Sequence, residues 1–352
     1  MRDYMFILDK ENPKLSIIEL FSYFESRNIT YKLLSNSNQA AVFRLSNLDQ
    51  NDFILTIAST IKFGEIVSKK STLYQGIKKE FNYYITSYSG NKDKQFEKFL
   101  KQKFKKATHE KTQDAIEFLT YDKYVARKIS NISQKEFEIR DKKKPKKKMK
   151  RPIASKLAKI MVNLSKAKQG DTLADPFAGT GTILQEALLS NCDVIGIDIS
   201  RTMTASTLKN LKWLYNQYDL TQNFEMIRGD STSISKYLTI DEVDAIVTEP
   251  FIPVFKLMLP SFEKAKKIIR DLEKLYFLFL MNAKKALKEN GRVVIIVPVI
   301  ITKEGKKITM NFFKIASRAN FKVIEYPEEF SLPISYKKDI KKGFIREIYI
   351  LE

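Results

Sequence analysis

The chain has 352 residues, of which 43% are hydrophobic, and it carries a formal net charge of +21. This length allows two or three domains with buried cores, and this hydrophobic content is typical of a globular protein rather than a disordered one. The longest apolar stretches, such as residues 293–301, are too short to cross a bilayer, so we expect no membrane association. A single cysteine, Cys192, excludes an internal disulfide and predicts a reducing, cytoplasmic location.

The first 130 residues alternate apolar runs with polar turns, which predicts a mixture of strands and helices. Tyr4–Leu8 predicts a strand and Leu15–Phe24 a helix. Later runs predict five more strands and one more helix, the strands at 40–43, 66–69, 81–88, 115–119 and 124–129 and the helix at 95–104. The pattern indicates an α+β region, and it contains no catalytic constellation.

The positive charge is concentrated in the smaller part of the chain. Residues 1–150 carry +13 of the net +21, and such a field favours nucleic acid as a partner. The helix predicted at 95–104 has apolar residues at helical spacing, so its lysines share the outer faces. We predict that these lysines bind phosphate, with a solvated surface or a membrane surface as alternatives; they are Lys94, Lys98, Lys101 and Lys105.

A second basic run, residues 141–151, holds eight basic side chains among eleven residues. We interpret it as a linker whose lysines, Lys146, Lys147 and Lys148, also contact nucleic acid. The chain has one histidine, His109, in a charged stretch, and no Cys/His cluster. These counts predict no metal and exclude Ser-His-Asp and Cys-His mechanisms.

From Ile153 onward the sequence predicts a doubly wound α/β fold. A helix at 153–164 precedes strands that alternate with helices, as a parallel sheet requires. The strands are predicted at 172–174, 194–197, 224–227, 244–247 and 292–297, with a long helix at 262–288 that a glycine ends at Asn290-Gly291. Two runs, 321–325 and 344–351, complete the sheet. Because no crossover helix precedes the last run, we expect an antiparallel edge hairpin.

The eight residues Asp175–Thr182 read D-P-F-A-G-T-G-T and join the first of these strands to a helix. Such a glycine turn is expected to bare its backbone N–H groups so that a ligand can approach. Asp198 closes the next strand, where a carboxylate can accept two ribose hydroxyl groups. We therefore predict a nucleoside-cofactor site made of Asp175, Phe177, Gly179, Thr180, Gly181, Asp198, Ile199, Asp230 and Ser231.

Three kinds of cofactor can be considered as the ligand of this turn. A P-loop needs a lysine after the last glycine, where Thr182 stands. A dinucleotide site needs a third glycine, where Leu184 stands, and its pyrophosphate would lie poorly beside Asp175. A cationic sulfonium with an amino group suits that carboxylate, so we predict S-adenosylmethionine.

A second set of polar residues follows the fourth strand, at the same edge of the sheet. Glu249 is placed to accept hydrogen bonds from an exocyclic amine, and Phe251 is placed to stack on a flipped base. We predict Glu249, Pro250 and Phe251 as the catalytic residues; the alternative is a plain loop with a buried phenylalanine. Cytosine C5 methylation is excluded, because Cys192 precedes the second strand, far from this edge.

These motifs resemble the class I, Rossmann-like methyltransferases of RNA amino groups. D-P-F-A-G-T-G-T is similar to their first motif and G-I-D-I-S, at 196–200, to their second. I-R-D-K-K-K-P, at 139–145, and the helix at 153–164 resemble the linker and entry helix of the THUMP-domain tRNA guanine-N2 methyltransferases of the position-10 type. The opening residues 6–20 resemble that family's N-terminal domain.

The resemblance implies S-adenosylmethionine as cofactor, tRNA as substrate, and one or two methyl groups added to a guanine amino group. It implies four segments: a ferredoxin-like α+β domain at 1–60, a THUMP-like domain at 61–130, a basic linker at 131–152 and the methyltransferase domain at 153–352. The family's fourth motif is Asp-Pro-Pro-Tyr, so Glu249-Pro250-Phe251 departs from it in two side chains and by one missing proline.

Two other functions stay open on the sequence alone. One is adenine-N6 or cytosine-N4 methylation of DNA, which uses the same strand ends. The other is an RNA-binding protein that keeps the methyltransferase fold without catalysis. For the leading interpretation we expect a monomer that acts on tRNA in the cytoplasm, without a metal and without a membrane.

Overall fold

The computed structural model describes residues 1–67, 80–88, 92–104, 106–147, 153–251, 255, 258–336 and 343–352. The chain divides into two compact units, 1–134 and 135–352. None of the helices in these ranges is both long and apolar enough to cross a bilayer.

The first unit is built on one eight-stranded mixed sheet. In chain order the elements are β1 (Arg2–Leu8), α1 (Pro13–Ser26), β2 (Tyr31–Asn36), β3 (Ala40–Leu45), α2 (Gln50–Thr56), β4 (Thr60–Ile66), β5 (Glu80–Ser87), α3 (Lys92–Lys103), β6 (Lys106–His109), β7 (Ile116–Tyr121) and β8 (Tyr124–Asn131). The strand order is β2-β3-β1-β4-β8-β7-β5-β6, in which β5 pairs in parallel with β6 and β7 and the other pairs are antiparallel.

An aromatic cluster fixes one face of this sheet. Phe6 of β1 lies at the centre, with its ring 5.3 Å from Phe53 of α2 and 5.9 Å from Phe43 of β3. The cluster also holds Phe24 of α1 and Phe63 of β4. Tilted and edge-on rings of this kind stabilise a core beyond the area they bury.

The sheet is continuous across the boundary that we predicted near residue 60. β4 pairs with β1 on one side and with β8 on the other, so the segments 1–60 and 61–130 share one sheet. The predicted linker at 131–152 also contains a helix, α4 (Lys135–Lys143), which belongs to the second unit.

The remaining elements of the second unit are α5 (Ser155–Leu164), β9 (Thr172–Asp175), α6 (Thr182–Leu188), β10 (Asp193–Asp198), α7 (Arg201–Gln217), β11 (Phe224–Arg228), β12 (Val243–Thr248), α8 (Phe262–Ala286), β13 (Leu287–Ile301), β14 (Lys307–Ile308), α9 (Phe312–Arg318), β15 (Ile334–Tyr336) and β16 (Phe344–Leu351). The sheet of this unit has the order β11-β10-β9-β12-β13-β16-β15. β9 to β13 are parallel, and β16 is antiparallel to both β13 and β15. This is a doubly wound, Rossmann-like α/β sheet with antiparallel strands at one edge, as predicted.

Two details near the C-terminus differ from the prediction. α8 ends at Ala286, and Asn290-Gly291 lies inside β13, where Asn290 has a φ of +65° at a break in register. Residues 321–325 form no strand but one isolated bridge, Val323 to Leu351. The edge strand is instead β15, so β16 lies inside the sheet.

Candidate active site

The turn between β9 and α6 is formed by two glycines with positive φ. Gly179 has φ +55° and Gly181 has φ +76°. A Cβ at Gly179 would meet no atom closer than 3.9 Å, so this side of the turn is open. A Cβ at Gly181 would lie 2.7 Å from the Cγ2 atom of Thr207, because α7 packs against the turn there.

The N–H groups of this turn are used within the protein, which differs from the prediction that they are bare. Four of them donate to nearby oxygens: Phe177 to the Asp175 side chain (3.2 Å), Ala178 to the Ile197 carbonyl (3.0 Å), Gly179 to Asp198 Oδ2 (2.9 Å) and Gly181 to the Ala178 carbonyl (2.7 Å). A phosphate cradle needs such groups to point at the ligand. The turn therefore fits a nucleoside rather than a phosphate.

Asp198 is held in a fixed orientation at the end of β10. Its Oδ2 accepts from Gly179 and its Oδ1 accepts from the N–H of Ser200 at 2.8 Å. Each carboxylate oxygen has a second lone pair, so both can still accept a ribose hydroxyl. Ile199, the next residue, is 69% exposed and offers an apolar surface beside that position.

Asp175 lies beneath the turn and is only 1% exposed. Its carboxyl group accepts a 2.7 Å hydrogen bond from the hydroxyl of Thr248, at the end of β12. Burial raises the pKa of Asp175 to about 7, and the negative charges of Asp198 and Glu249 add to this effect. The Asp175 carboxyl group therefore changes between its neutral and its charged form close to neutral pH.

Phe177 and Thr180 contribute to the turn mainly through their backbones. The Phe177 ring packs edge-on against Phe279 of α8, with 5.4 Å between ring centres. Thr180 is buried, and its carbonyl accepts from the amide of Asn210 at 2.8 Å.

Asp230 and Ser231 follow β11 and open a short 3-10 helix at 231–236. Asp230 caps this helix, because its Oδ1 accepts from both the N–H and the hydroxyl of Thr232. Its own N–H donates to the hydroxyl of Tyr237 at 3.2 Å. Asp230 is exposed while Ser231 is buried, so Asp230 is the one of the two that a ligand can reach.

Glu249 follows β12 and is paired with an arginine that the sequence motifs do not include. The Nε atom of Arg346, on β16, donates to Glu249 Oε1 at 2.5 Å. Arg346 is 3% exposed, and its guanidinium lies 5.0 Å from the centre of the Phe344 ring. Pro250 is buried, whereas Phe251 is 61% exposed and available to a ligand.

Two polar residues of α7 hold the carbonyl side of the glycine turn. The hydroxyl of Thr207 donates to the Gly179 carbonyl at 2.9 Å. Asn210 donates to the Thr180 carbonyl and also bonds both the N–H and the C=O of Lys146, each at 2.8 Å. The sequence signal for both was present, since they lie three residues apart on one helix face with Leu211 and Leu214.

The segment 139–145 contributes structural contacts rather than a solvated linker. Arg140 is buried and makes a bidentate ion pair with Glu186 of α6, at 2.7 and 2.8 Å. Lys144 is also buried, and its Nζ donates to the hydroxyl of Thr182 at 3.0 Å. Burial lowers the pKa of Lys144. Both contacts anchor α6, the helix that the glycine turn opens.

The predicted phosphate-binding lysines are placed in several ways. On α3, Lys94 and Lys98 are exposed, while Lys101 pairs with Glu97 at 2.8 Å. Lys146 and Lys147 have exposed side chains. Lys105 and Lys148 lie outside the described residues. Across the described ranges, no three His, Cys, Asp or Glu side chains are grouped in a way that would hold a metal.

Comparison with protein families gives two matches. Residues 142–304 match a family described as RMKL-like, methyltransferase domain. Residues 20–209 match a family described as DNA methylase. The first match spans the glycine turn, Asp198 and Glu249, whereas the second ends before Glu249.

The chain is also similar to curated archaeal proteins. It is 40% identical over 147 residues to the tRNA (guanine(10)-N2)-dimethyltransferase of Methanothermobacter thermautotrophicus, which covers 42% of this chain and 38% of that protein. It is 33% identical over 198 residues to the protein of the same name from Methanocaldococcus jannaschii, covering 55% of this chain and 44% of that protein. The matches thus span less than half the length of these two relatives.

Among solved structures, the crystal structure of TrmN from Thermus thermophilus is 14% identical, with a TM-score of 0.47 and coverage of 99% of both chains. This similarity is too weak for an inference. The sequence matches agree with the strand order, the glycine turn and the strand-end carboxylates described above. Both matched families are described as methyltransferases or methylases, so the chain belongs to the methyltransferases, and its sequence is similar to those of the archaeal tRNA (guanine(10)-N2)-dimethyltransferases.

Proposed function

We propose that this protein methylates the exocyclic N2 amino group of a guanine in tRNA. Support comes from the relatives described above, whose names specify dimethylation of guanine 10 at N2 in tRNA. It also comes from a site in which a nucleoside-cofactor turn lies beside an acid, a proline and an exposed aromatic ring. The names of these relatives also suggest position 10 as the target nucleotide and two as the number of methyl groups added.

S-adenosylmethionine is the cofactor of this family, and when bound it supplies an electrophilic methyl group on a cationic sulfur. The residues present fit such a ligand. Asp198 is oriented to accept the ribose hydroxyls, Ile199 offers an apolar surface, and the open side at Gly179 lets the ligand approach. The carboxylate of Asp198, together with that of Asp175 in its charged form, gives the site a negative potential that favours a cation, whereas the charge of Glu249 is paired with Arg346.

The observation that carries the proposal is the adjacency of the two halves of the site. β12 pairs with β9, so the loop that begins at Glu249 starts beside the turn that begins at Asp175. The Thr248–Asp175 hydrogen bond joins them directly. Ligands of open α/β sheets bind at this edge, beyond the carboxyl ends of the strands. A base held at Glu249-Pro250-Phe251 would therefore lie next to the cofactor.

Methyl transfer to N2 of guanine requires two events at the base site. The lone pair of N2 must form a bond to the methyl carbon while the carbon–sulfur bond breaks and its electrons stay on sulfur. N2 must also lose one proton. Phe251 is exposed and can stack on the guanine, and Glu249 can accept the amino hydrogen and receive that proton. These are the roles we assign to the two residues.

We assign tRNA binding to the N-terminal unit and to the basic segment before residue 151. Lys94 and Lys98 are exposed on α3, and Lys146 and Lys147 are exposed in the second unit. Ammonium groups of this kind bind phosphate and release counterions, which gives sequence-independent affinity. A THUMP-like role for residues 61–130 is part of this proposal.

The test is a methyl-transfer assay with labelled S-adenosylmethionine and three substrates: unmodified tRNA, duplex DNA of equal nucleotide concentration, and no nucleic acid. We expect label in tRNA alone, with Phe251→Ala at least about fivefold slower, since base stacking contributes about 1–3 kcal/mol. Phe313, on α9, is 51% exposed, so Phe313→Ala serves as the control. Label in duplex DNA and none in tRNA would contradict the proposal.

A second candidate, methylation of a DNA amino group, is favoured only by the DNA methylase match at 20–209. That match ends before Glu249, so it does not include the base site. The same assay separates the two functions.

A further inference from the structure

We propose that Arg346 is a positioning residue for methyl transfer, which orients the carboxylate of Glu249 toward the amino group of the base. This inference rests on the proposed function and extends it to a strand that carries none of the recognised motifs. Arg346 lies 97 residues from Glu249 in the sequence and reaches it across the sheet.

The placement of Arg346 is the first observation. On β16 it lies opposite Pro298 of β13 and Tyr336 of β15, so its backbone is enclosed on both sides. β13 in turn separates β16 from β12, whose end carries Glu249. The guanidinium therefore reaches over the carboxyl end of β13 to meet Glu249 at the edge where ligands bind.

The geometry of the pair is the second observation. The Arg346 Nε atom engages Glu249 Oε1 at 2.5 Å, and the Glu249 side chain is 13% exposed. Among the described residues, Arg346 is the only one that bonds this carboxylate. Arg346 Nε engages Oε1, and we assign Oε2 to the amino group of the base. A charge-assisted bond from a planar guanidinium fixes the direction in which the second oxygen points.

The pair also accounts for the glutamate at this position. Glu249 has one methylene more than the aspartate of the family motif, and the turn is one proline shorter. An extra torsion angle gives a free glutamate more orientations, which costs entropy when the base binds. Arg346 removes that freedom before the base arrives, and preorganised acceptors are the ones that act in a transition state. Its ring contact with Phe344 holds the guanidinium in turn.

A positioning role and a purely structural role of Arg346 make different predictions. If Arg346 positions Glu249, its loss slows methyl transfer while the folded state and cofactor binding are kept. The variants are Arg346→Met, Arg346→Lys and the double variant Glu249→Gln with Arg346→Met, which leaves no unpaired charge. Arg292→Met is the matched control, because Arg292 is a buried arginine near the amino end of β13, at the opposite edge of the sheet.

The measurements are the single-turnover rate with tRNA, the Kd for S-adenosylmethionine and the Tm. We expect Arg346→Met to slow transfer at least tenfold while the cofactor Kd changes less than threefold, and Arg346→Lys to recover part of the rate. The double variant should have a higher Tm than Arg346→Met but an equally slow transfer. Arg292→Met should have a lower Tm than wild type but the same rate of transfer. Because Glu249→Gln by itself slows transfer, the double variant reports on stability alone. A purely structural role would leave the rate of Arg346→Met, per folded and cofactor-bound protein, within twofold of wild type.

The outcomes separate the two proposals. Wild-type transfer to tRNA guanine with an Arg346→Met rate within twofold of it would overturn this inference and leave the proposed function intact. A folded wild type that binds S-adenosylmethionine but methylates no guanine in tRNA would overturn both.

Discussion

The hydroxyl of Thr248 donates a 2.7 Å hydrogen bond to the buried carboxyl group of Asp175. Thr248 ends β12 and Asp175 ends β9, so this bond links the strand that leads to the base site with the strand that leads to the cofactor turn. Both residues are buried, so the bond is protected from water. It stabilises the charged form of Asp175, against the burial that raises its pKa to about 7.

Cofactor affinity should therefore depend on pH. The cation binds better when Asp175 is charged, so the Kd for S-adenosylmethionine should rise by roughly tenfold at most between pH 8 and pH 6. Isothermal calorimetry measures it, and Asp175→Asn controls for titration of the ligand itself. Equal pH dependence in wild type and Asp175→Asn would remove Asp175 as the cause. Thr248→Val keeps the shape and should weaken binding more at pH 7 than at pH 9.

The same carboxyl group predicts a stability change of opposite sign in the ligand-free protein. The pKa of Asp175 is higher in the folded state than its ordinary value of 3.8. The folded protein thus holds an extra proton between pH 4 and pH 7, and stability falls as the pH rises through that window. Urea denaturation should show that Asp175→Asn stabilises the protein relative to wild type at pH 8 and much less at pH 4. A constant difference across this range would contradict the assignment.

Asp198→Ala should weaken S-adenosylmethionine binding by about tenfold or more, because two charge-assisted hydrogen bonds to the ribose are removed. Asp198→Asn keeps one acceptor oxygen, so its Kd for S-adenosylmethionine should lie between those of wild type and Asp198→Ala. Asp193→Asn is the control, since Asp193 starts the same strand and accepts from the N–H of Asn223 at the opposite edge. A folded Asp198→Ala protein with the wild-type Kd would remove Asp198 from the site.

Asn210→Ala should lower both stability and cofactor affinity. The fully buried amide bonds the Thr180 carbonyl and the backbone of Lys146, so its loss leaves buried polar groups without partners, at a cost of about 1–3 kcal/mol. Asn216→Ala, at an exposed position of the same helix, should change neither. Loss of stability with an unchanged cofactor Kd would restrict Asn210 to folding.

The double variant Lys94→Ala with Lys98→Ala should bind tRNA more weakly and with a lower salt dependence. Removing one lysine–phosphate interaction should reduce the slope of log K against log salt concentration by roughly 0.7–0.9. Lys10→Ala with Lys32→Ala removes the same charge from exposed positions outside α3 and serves as the control. Equal salt slopes for the two double variants would contradict phosphate binding by α3.

The sequence predicts the part of the site that is built from consecutive residues. The glycine turn and Asp198 are local patterns at strand ends, and the structure places Gly179 and Asp198 in hydrogen-bond contact. The alternation of strands and helices likewise predicts the parallel part of the sheet. These patterns can be recognised in the sequence because the backbone conformation of the turn and of the strands favours particular residue types at neighbouring positions.

The rest depends on contacts between distant residues, which periodicity cannot supply. Arg346 pairs with Glu249 across 97 positions, and its only local sign is a charged residue in the apolar run 344–351. Asn290-Gly291 is a typical helix stop, yet tertiary pairing ends the helix at Ala286 and turns these residues into a bulge of β13. The basic run at 141–151 has the composition of a solvated segment, yet Lys144 within it is buried and donates to the hydroxyl of Thr182.

Nucleoside analysis tests the central claim most directly. Unmodified tRNA is incubated with the 352-residue protein and S-adenosylmethionine and then digested to nucleosides. The nucleosides are examined by liquid chromatography with mass spectrometry against N2-methylated and N2-dimethylated guanosine standards. We predict that methylated guanosine of the N2 type appears with wild type and falls at least tenfold with Glu249→Gln. Methylation of adenosine or cytidine instead, or of none of the four nucleosides by a protein that binds the cofactor, would contradict the account.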